Sequence, residues 1–226
     1  MMHARLITRH GRDFVWLYSE EVRGSDATEA TRRILTAFST ELAPFGLSLD
    51  DTVRTRLWAR DRESRNLGSA ERRRILSGQA RAASSSYIAP GHFASGGSVA
   101  LELLALKSSR ASPKVCREFD PPKVPVRYII YDAVAFLSGV TIVRPTLVEQ
   151  AEAIVRSITD SLREAGSAWD KVVEAGFYLH RSESIERLRS CFGSLVQADI
   201  PLQEYVMVDG YSAEDKLIEI EVTAII

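Results

Sequence analysis

Apolar and polar positions along this chain follow one order twice, with the second copy 120 residues after the first. In each copy, apolar residues stand at i, i+1, i+4 and i+8, which is the spacing of one face of an amphipathic helix. The stripe consists of Ile34, Leu35, Phe38 and Leu42 in the first copy and of Ile154, Val155, Ile158 and Leu162 in the second. The pattern therefore predicts the same helix at two places.

Both predicted helices carry the same start and stop signals. A capping side chain followed three residues later by Glu fits a capping box at the start. A glycine after the last apolar position supplies the left-handed residue that commonly ends a helix. The start signals are Asp26 with Glu29 and Thr146 with Glu149, and the stop signals are Gly46 and Gly166.

Strands are predicted on both sides of each helix. Strand-like runs precede the helices at residues 13–19 and 133–139, again 120 residues apart. After the helices, alternate residues share one face, which is the periodicity of a strand. These residues are Val53, Thr55 and Leu57 in the first copy and Val173, Ala175, Phe177 and Leu179 in the second. Helix and strand signals that all recur after 120 residues indicate an internal repeat.

Each half continues with a second helix and further strands. The second helix of the second half has its apolar stripe at Ile185, Leu188, Cys191, Phe192 and Leu195. Strand patterns follow at residues 83–89 and 98–106 in the first half and at 204–210 and 216–225 in the second. Each half is thus predicted to be an α+β unit, a mixed sheet with two helices packed on one face.

The segment between the copies has a different composition. Residues 107–125 hold four of the eight prolines and predict an extended linker. We therefore expect a first domain at residues 1–107, a linker at 108–125 and a second domain at 126–226.

A sheet with both helices on one side leaves its other face open. Candidates for this face are Trp58, Tyr178, Leu217 and Ile218. Because this face carries apolar and amphipathic residues, we expect it to pack against another sheet.

Composition and charge are those of an ordinary globular protein. The chain has 45% hydrophobic and 26% charged residues and a net charge of −1, which gives no general attraction to nucleic acid or anionic membranes. No apolar run approaches the roughly 18 residues of a membrane span. The charged N-terminus does not fit an export signal, so a cytoplasmic protein with reduced Cys116 and Cys191 is expected. The four histidines show no metal-ligand spacing, and we expect neither a metal nor a cofactor.

Four segments of the second half have a familiar order and spacing: FLSG at 136–139, residues 150–188, IPLQEYVMVDG at 200–210 and LIEIEVTAI at 217–225. Through these segments the second half, from about Ile129 to Ile226, resembles the RidA/YjgF family of small enamine/imine deaminases. Through the 120-residue offset, the first half resembles a diverged copy of the same unit. The resemblance implies two tandem chorismate-mutase-like units with ligand clefts between neighbouring units. It also implies a homotrimer, because three chains would supply six units for two three-unit rings.

The resemblance further implies an Arg that holds the substrate carboxylate and a last-strand Glu that organises water. A guanidinium can bind a carboxylate through two parallel hydrogen bonds. In the second half these positions correspond to Gln203, which has no charge, and Glu219. In the first half they correspond to Arg81 and Glu102. The first pair is 16 residues apart and the second 21, which predicts a five-residue insertion at PGHFASGG, residues 90–97.

Two hydroxyl residues complete the predicted site. Ser138 in FLSG corresponds to a Ser that lines the cleft in the family, and Tyr18 is its counterpart through the offset. Strand-end hydroxyls also occur for purely structural reasons, so both interpretations stay open.

An Arg-rich segment at residues 54–74 holds eight Arg against Asp61, Glu63 and Glu71. With Trp58 it offers an RNA-binding interpretation, since Arg and aromatic rings contact phosphates and bases. Alternation places Arg54 and Arg56 on one strand face, and the remaining residues are typical of a solvated helix. A third interpretation is that the segment lines an anionic-ligand pocket together with Arg81. Nucleic acid is the least expected partner.

The sequence thus leaves three functional hypotheses. In the first, a small carboxylate-bearing metabolite is an enamine or imine that is deaminated by hydrolysis, with Arg81 as its anion grip and Glu102 or Glu219 positioning water. In the second, the protein is a non-catalytic ligand-binding or structural relative. In the third, it is a pathway-specific enzyme of the chorismatase type, whose motifs are not recognisable in this sequence.

Overall fold

The computed structural model describes residues 2–22, 26–108 and 113–226, and it folds the first half into a five-stranded mixed sheet with two helices. The sheet order is β1-β2-β5-β3-β4, in which β3 and β4 are parallel and the other neighbours antiparallel. The elements are β1 (Met2–Arg9), β2 (Arg12–Ser19), α1 (Ala27–Leu42), β3 (Thr52–Ala59), α2 (Arg62–Ile75), β4 (Ala83–Ile88) and β5 (Val99–Leu106).

The second half repeats this arrangement with an additional edge strand. Its sheet order is β10-β9-β11-β8-β7-β6, with β9 and β10 parallel and the remaining neighbours antiparallel. The elements are β6 (Val115–Arg117), β7 (Tyr128–Tyr131), β8 (Val134–Leu137), α3 (Leu147–Glu164), β9 (Val172–His180), α4 (Ile185–Leu195), β10 (Leu202–Val208) and β11 (Ile218–Ile225). The predicted α+β fold class, with two repeated units, is confirmed.

The predicted start and stop signals are present around α1 and α3, although a short 3₁₀ turn, Ala43–Phe45, separates the end of α1 at Leu42 from Gly46. Asp26 accepts a hydrogen bond from the Glu29 N–H (2.8 Å), and Thr146 and Glu149 form a reciprocal capping box. Gly46 and Gly166 have φ values of 71° and 79°, which glycine adopts without the penalty that a Cβ would bring. The apolar stripes of both helices are buried against their own sheets and form the two main cores.

The open sheet faces pack against each other within one chain. One inter-sheet cluster joins Phe14 and Leu106 to Ile129 and Phe136. A second cluster joins Trp58 and Tyr87 of the first half to Tyr178 and Tyr211 of the second, with Tyr87 and Tyr178 stacked 4.1 Å apart. The expected sheet-to-sheet contact is therefore confirmed, and the homotrimer stays a prediction.

Two of the four open-face candidates were assigned correctly. Trp58 and Tyr178 lie between the sheets. The assignment of Leu217 and Ile218 was wrong, because both pack into the core beneath the helices. Successive residues of a strand point to opposite faces, so Ile218 and its neighbour Glu219 in β11 cannot share one.

Part of the predicted linker joins the second sheet. Val115–Arg117 pairs antiparallel with β7, whereas residues 109–112 lie outside the described residues. The domain boundaries at 107 and 126 stay a prediction. Within the described ranges, no helix has the length and apolarity to cross a membrane, and no group of three or more His, Cys, Asp or Glu side chains could hold a metal ion.

Candidate functional site

A buried ion-pair network joins the two sheets at their centre. Arg54 and Arg56 of β3 point toward β11, where Glu221 lies 3.4 Å from Arg54 Nε and accepts hydrogen bonds from Arg56 at 2.9–3.0 Å. The Ser85 hydroxyl and the Tyr87 hydroxyl also donate to this carboxylate. Burial alone would raise the pKa of Glu221, but the charges of Arg56 and Arg54 outweigh it, and the pKa lies below its usual value.

Glu219 lies two residues earlier in β11, on the same face, in a different electrostatic setting. It is buried, and no ion pair reaches its carboxylate from the residues described. Burial, reinforced by the negative charge of Glu221, raises the pKa of Glu219 to about 7. Two neighbouring carboxyl groups are thus driven to opposite protonation behaviour.

The Glu219 carboxyl group is packed directly against Gly139. A methyl group on Gly139 would stand 2.6 Å from the Glu219 carboxyl carbon, which is far inside van der Waals contact. Gly139 and the backbone pairing of Val140 with Ile220 therefore fix where the carboxyl group can lie.

Glu219 lines a cavity of about 540 Å³ between the two halves, which we call the seam cavity. The first half contributes α2 and β4, and the second half contributes residues 139–142, Ser212, Lys216 and Glu219, with residues 123–126 between them. Its cationic lining residues are Arg65, Arg72, Arg73, Arg81, Lys123 and Lys216. The seam cavity therefore combines a protonatable carboxyl group with a strongly positive lining.

Helix α2 supplies the deepest of these cations. Arg65, Ser69 and Arg72 are spaced i, i+4 and i+7, so they share one helix face, and all three line the cavity. Arg72 is buried and donates to the Ser85 carbonyl (2.7 Å) and the Ser86 hydroxyl (2.8 Å). Burial lowers the pKa of Arg72 to about 10, so its guanidinium is still charged at neutral pH.

The seam cavity also contains buried polar atoms that make no hydrogen bond with any residue the structure describes. They are the Nε of Arg65 and the hydroxyls of Thr55 and Thr141. Buried polar groups in folded proteins are almost always hydrogen-bonded, to protein or to water. These groups can therefore hydrogen-bond to water or to a polar ligand in the cavity.

Two of the residues predicted from the sequence meet in the seam cavity. Glu219 and Arg81 both line it, and Arg81 forms an ion pair with Glu118 while keeping a third of its side chain exposed. Ser138 adjoins the cavity but is buried, and its hydroxyl accepts a hydrogen bond from the Ser84 N–H (3.1 Å) across the two halves.

The other three predicted residues lie in two adjoining pockets, which together we call the second cleft. Tyr18 lines one pocket and Gln203 the other, and both pockets share Trp16, Glu102 and Glu204. Glu102 accepts a hydrogen bond from Trp58 Nε1 (3.0 Å) and one from Arg56 (3.4 Å). Gln203 accepts one from the Tyr205 hydroxyl (2.7 Å), and Tyr18 stacks on His3 at 4.5 Å. The predicted pairing of Arg81 with Glu102 is therefore wrong, because the two residues line different cavities.

Comparison with known proteins agrees with the repeated fold. The sequence model of the family described as Endoribonuclease L-PSP matches residues 125–226. This match bears out the resemblance of the second half to the RidA/YjgF family. No curated protein matches the sequence.

Solved structures extend the likeness to the first half. A chorismatase is 16% identical, with 97% of this chain and 78% of that chain covered and a TM-score of 0.65, so the chain shares its fold across both halves. A conserved Rid family protein from Yersinia pestis is 19% identical and covers 50% of this chain and 99% of its own, with a TM-score of 0.46. A YjgF/YER057c/UK114 family member from Mycobacterium tuberculosis is 22% identical over 50% of this chain and 99% of its own, with a TM-score of 0.41.

Strand register corrects the predicted correspondence between the two RidA-like halves. Glu219 pairs with Tyr178 and Glu221 with Gly176, whereas Glu102 pairs with Arg56, the counterpart of Gly176. Glu102 is thus the counterpart of Glu221, and the residue equivalent to Glu219 is Ala100, which pairs with Trp58. The first half has no carboxyl group at the Glu219 position.

The same register corrects the predicted anion grip. Gln203 pairs with Ala175 and Ser84 with Thr55, so the counterpart of Gln203 is Ser84 and not Arg81. Ser84 and Ala100 are 16 residues apart, as are Gln203 and Glu219. The expected five-residue insertion at residues 90–97 therefore does not exist, and Arg81 precedes the strand position that it was assigned to.

Sequence reasoning did not single out Arg65, Arg72 and Lys216. The signal for the first two was the helical spacing of Arg65, Ser69 and Arg72 inside the Arg-rich segment. Arg54 and Arg56 are enclosed between the sheets, and Arg65 and Arg72 face the seam cavity. Of the three interpretations of this segment, the geometry favours the lining of an anionic-ligand pocket.

Proposed function

We propose that the seam cavity is the active site of a hydrolase that acts on a small carboxylate-bearing metabolite, with Glu219 as the proton donor. The observation that carries this proposal is that Glu219 and Glu221 lie two residues apart on one strand, in surroundings that shift their pKa values in opposite directions. Such pairs are typical of sites in which one group transfers protons while the other stays ionised.

The positive lining supports an anionic substrate. Arg65 and Arg72 are placed to bind a carboxylate deep in the cavity, and Arg81 can bind a second anionic group nearer its mouth. The volume of about 540 Å³ lies within the roughly 300–1,000 Å³ range of small-molecule sites. A substrate with more than one anionic group fits this lining better than a three-carbon acid does.

A carboxylic acid in this setting suits the hydrolysis of an enol ether or an enamine. The acid protonates the terminal carbon of the double bond, whose electron pair forms the new C–H bond. The oxygen or nitrogen lone pair then stabilises the resulting cation, and water adds to the cationic carbon. One proton of this water passes to the oxygen or nitrogen, which leaves as an alcohol or ammonia when its bond to carbon breaks. The second proton returns to the Glu219 carboxylate as the new carbonyl group forms, so a keto acid is released and the acid is regenerated.

The enol ether is our first candidate substrate. It is supported by the fold shared with a chorismatase over 97% of this chain, and by a cavity that lies between the two halves. The second candidate is hydrolytic deamination of an enamine or imine, which the family match of residues 125–226 favours. In both candidates Glu219, and not Glu102, has the catalytic role.

The two candidates give different products from the same cavity. The purified chain is incubated with chorismate, and pyruvate is measured by coupling to lactate dehydrogenase. In parallel, ammonia is measured after 2-aminoacrylate is generated in the presence of the protein. We expect pyruvate release above the buffer blank in the first assay; acceleration only in the second selects the deaminase.

Blank rates in both assays contradict the proposed hydrolase and leave the non-catalytic binder. A melting-temperature screen with small mono- and dicarboxylates then tests binding, because a ligand at 100 times its dissociation constant adds about 2.7 kcal/mol to the stability of the folded state.

The predicted homotrimer is tested by light scattering. RNA binding would appear as retention on a polyanion column that falls steeply with salt.

A further inference from the structure

We propose that Gln150 is a positioning residue that holds Lys216 at the wall of the seam cavity. The inference deepens the proposed function, on which it rests, because it assigns the element that places a cation near Glu219. Gln150 lies in α3 and is fully buried, so its amide is hidden from water.

The two ends of the Gln150 amide bind the residues on both sides of Lys216. Its Nε2 donates to the Asp215 carbonyl (2.6 Å), and its Oε1 accepts from the Leu217 N–H (2.9 Å). One planar group therefore fixes the backbone before and after the lysine. Asp215 has a φ of 61°, a left-handed conformation that a non-glycine residue adopts at a cost, and the hydrogen bond to its carbonyl helps to hold it.

A third hydrogen bond ties this loop to the opposite wall. Nε2 of Gln150 also donates to the Arg144 carbonyl (2.9 Å), just beyond residues 139–142 of the cavity lining. Lys216 itself lines the cavity, where its Nζ donates to the Ser212 hydroxyl (2.5 Å). Gln150 thus joins the two second-half segments that surround Glu219.

The first copy shows that the helix does not need this amide to fold. The residue 120 positions earlier is Ala30, which is fully buried in the apolar core of the first half. Burying an amide is unfavourable unless its hydrogen bonds are made. The glutamine occurs in the copy that carries Glu219, and all its bonds go to segments beside that carboxyl group.

The experiment follows the titration of Glu219 by NMR in the full chain labelled with ¹³C at the glutamate carboxyl carbon, with the signal assigned by its loss in Glu219→Gln. Lys216→Met removes the cation, so the pKa of Glu219 should rise by about 0.5 to 1 unit. Gln150→Leu releases the lysine and should raise this pKa in the same direction. The double variant should shift it no further than Lys216→Met alone, because both changes act through the same group.

Ile154→Ala is the matched control in the same helix. Ile154 is fully buried, so this variant loses stability, but the pKa of Glu219 should stay at its wild-type value. Gln150→Met is a second, nearly isosteric and uncharged variant in case Gln150→Leu does not fold, since a thioether cannot donate to the Asp215 carbonyl. A wild-type pKa of Glu219 in the Gln150 variants, or in Lys216→Met, overturns the proposal.

Hydrogen exchange separates this outcome from failure of the proposed function. The Leu217 N–H donates to Gln150, so its exchange should accelerate at least tenfold in Gln150→Leu and not in Ile154→Ala, beyond the change at the amides of the adjoining strand β11. If Glu219 of the wild-type protein titrates at its ordinary pKa, the result argues against Glu219 as the proton donor and leaves the positioning role of Gln150 unaffected. Unchanged exchange at Leu217 argues against the positioning role only.

Discussion

The two halves of the chain share one fold but contribute different groups to the cavity between them. The first half supplies the arginines of α2 and the hydroxyls of β4, whereas the second half supplies Glu219, the glycine that gives it room, and Lys216. The register makes the difference specific, because the first half has Ala100 where the second has Glu219. The charged groups that line the seam cavity therefore come from both halves.

The charged side chains of the second cleft pair with one another, unlike those of the seam cavity. There Glu102 and Glu204 face Arg56, and the charges largely compensate one another within the protein. In the seam cavity, by contrast, Arg65 keeps a buried nitrogen without a partner and Glu219 has no ion pair within the described ranges. Compensated charges stabilise a fold, whereas uncompensated ones are available to a ligand.

The strongest test of this comparison exchanges one carboxyl group in each cavity. Glu219→Gln should lower kcat/KM by about 10²–10⁴-fold, the usual contribution of a general acid. Glu102→Gln, the matched change in the second cleft, should leave kcat/KM within about twofold. Steady-state kinetics measures both variants, with the substrate that the pyruvate and ammonia assays select. Equal losses in the two variants would remove the functional distinction between the cavities.

Stability against pH should also distinguish Glu219 from an ordinary carboxyl group. Its pKa of about 7 in the folded protein exceeds the ordinary value of 4.5, so the folded state binds the proton more tightly than the unfolded state. This contribution is fully present below pH 4.5 and is lost as the pH rises through 7, by about 3 kcal/mol. Urea unfolding should show Glu219→Gln gaining stability relative to the wild type across this interval. A constant difference across the interval would mean that Glu219 titrates normally.

Arg72 should matter for binding more than for the chemical step. Arg72→Gln removes the deepest guanidinium, and a charged hydrogen bond of about 1.5–3 kcal/mol predicts a KM increase of roughly 10- to 100-fold. Arg163→Gln is the control, since Arg163 is exposed on α3 and pairs with Asp160. Thermal melting of both variants separates lost binding from lost folding. A reduced kcat with unchanged KM would place the substrate anion elsewhere.

Gly139→Ala tests whether the position of the Glu219 carboxyl group is fixed by close packing. The added methyl group would stand 2.6 Å from the carboxyl carbon, so the side chain must move. We expect kcat/KM to fall about tenfold, which corresponds to about 1.4 kcal/mol. Gly193→Ala in α4 is the control, because a Cβ there meets no atom within 4 Å. Unchanged kinetics in Gly139→Ala would show that the carboxyl group does not act from this position.

The sequence was a good guide to the fold and a partial guide to the site, for one physical reason. Helix stripes, caps and stop glycines are local, so Leu42, Thr146 and Gly166 could be interpreted from their neighbours. The partners of Glu219 come from strand register and from the other half of the chain. Aligning the last strands on similar letters matched Glu102 with Glu219, whereas backbone pairing matches it with Glu221.

The smallest expected effect concerns Ser138, which the resemblance assigned to the ligand cleft. Its hydroxyl accepts a hydrogen bond from the Ser84 N–H, and its side chain is buried, so its contact is with the other half of the protein. Ser138→Ala should therefore lower the free energy of unfolding by about 1 kcal/mol, the net value of a typical hydrogen bond, with KM unchanged. Ser157→Ala is the comparison, because Ser157 lines the seam cavity from α3. A raised KM in Ser138→Ala without loss of stability would show that Ser138 contacts the ligand. In that case the hydrogen bond from the Ser84 N–H would not be what holds β4 against the second half.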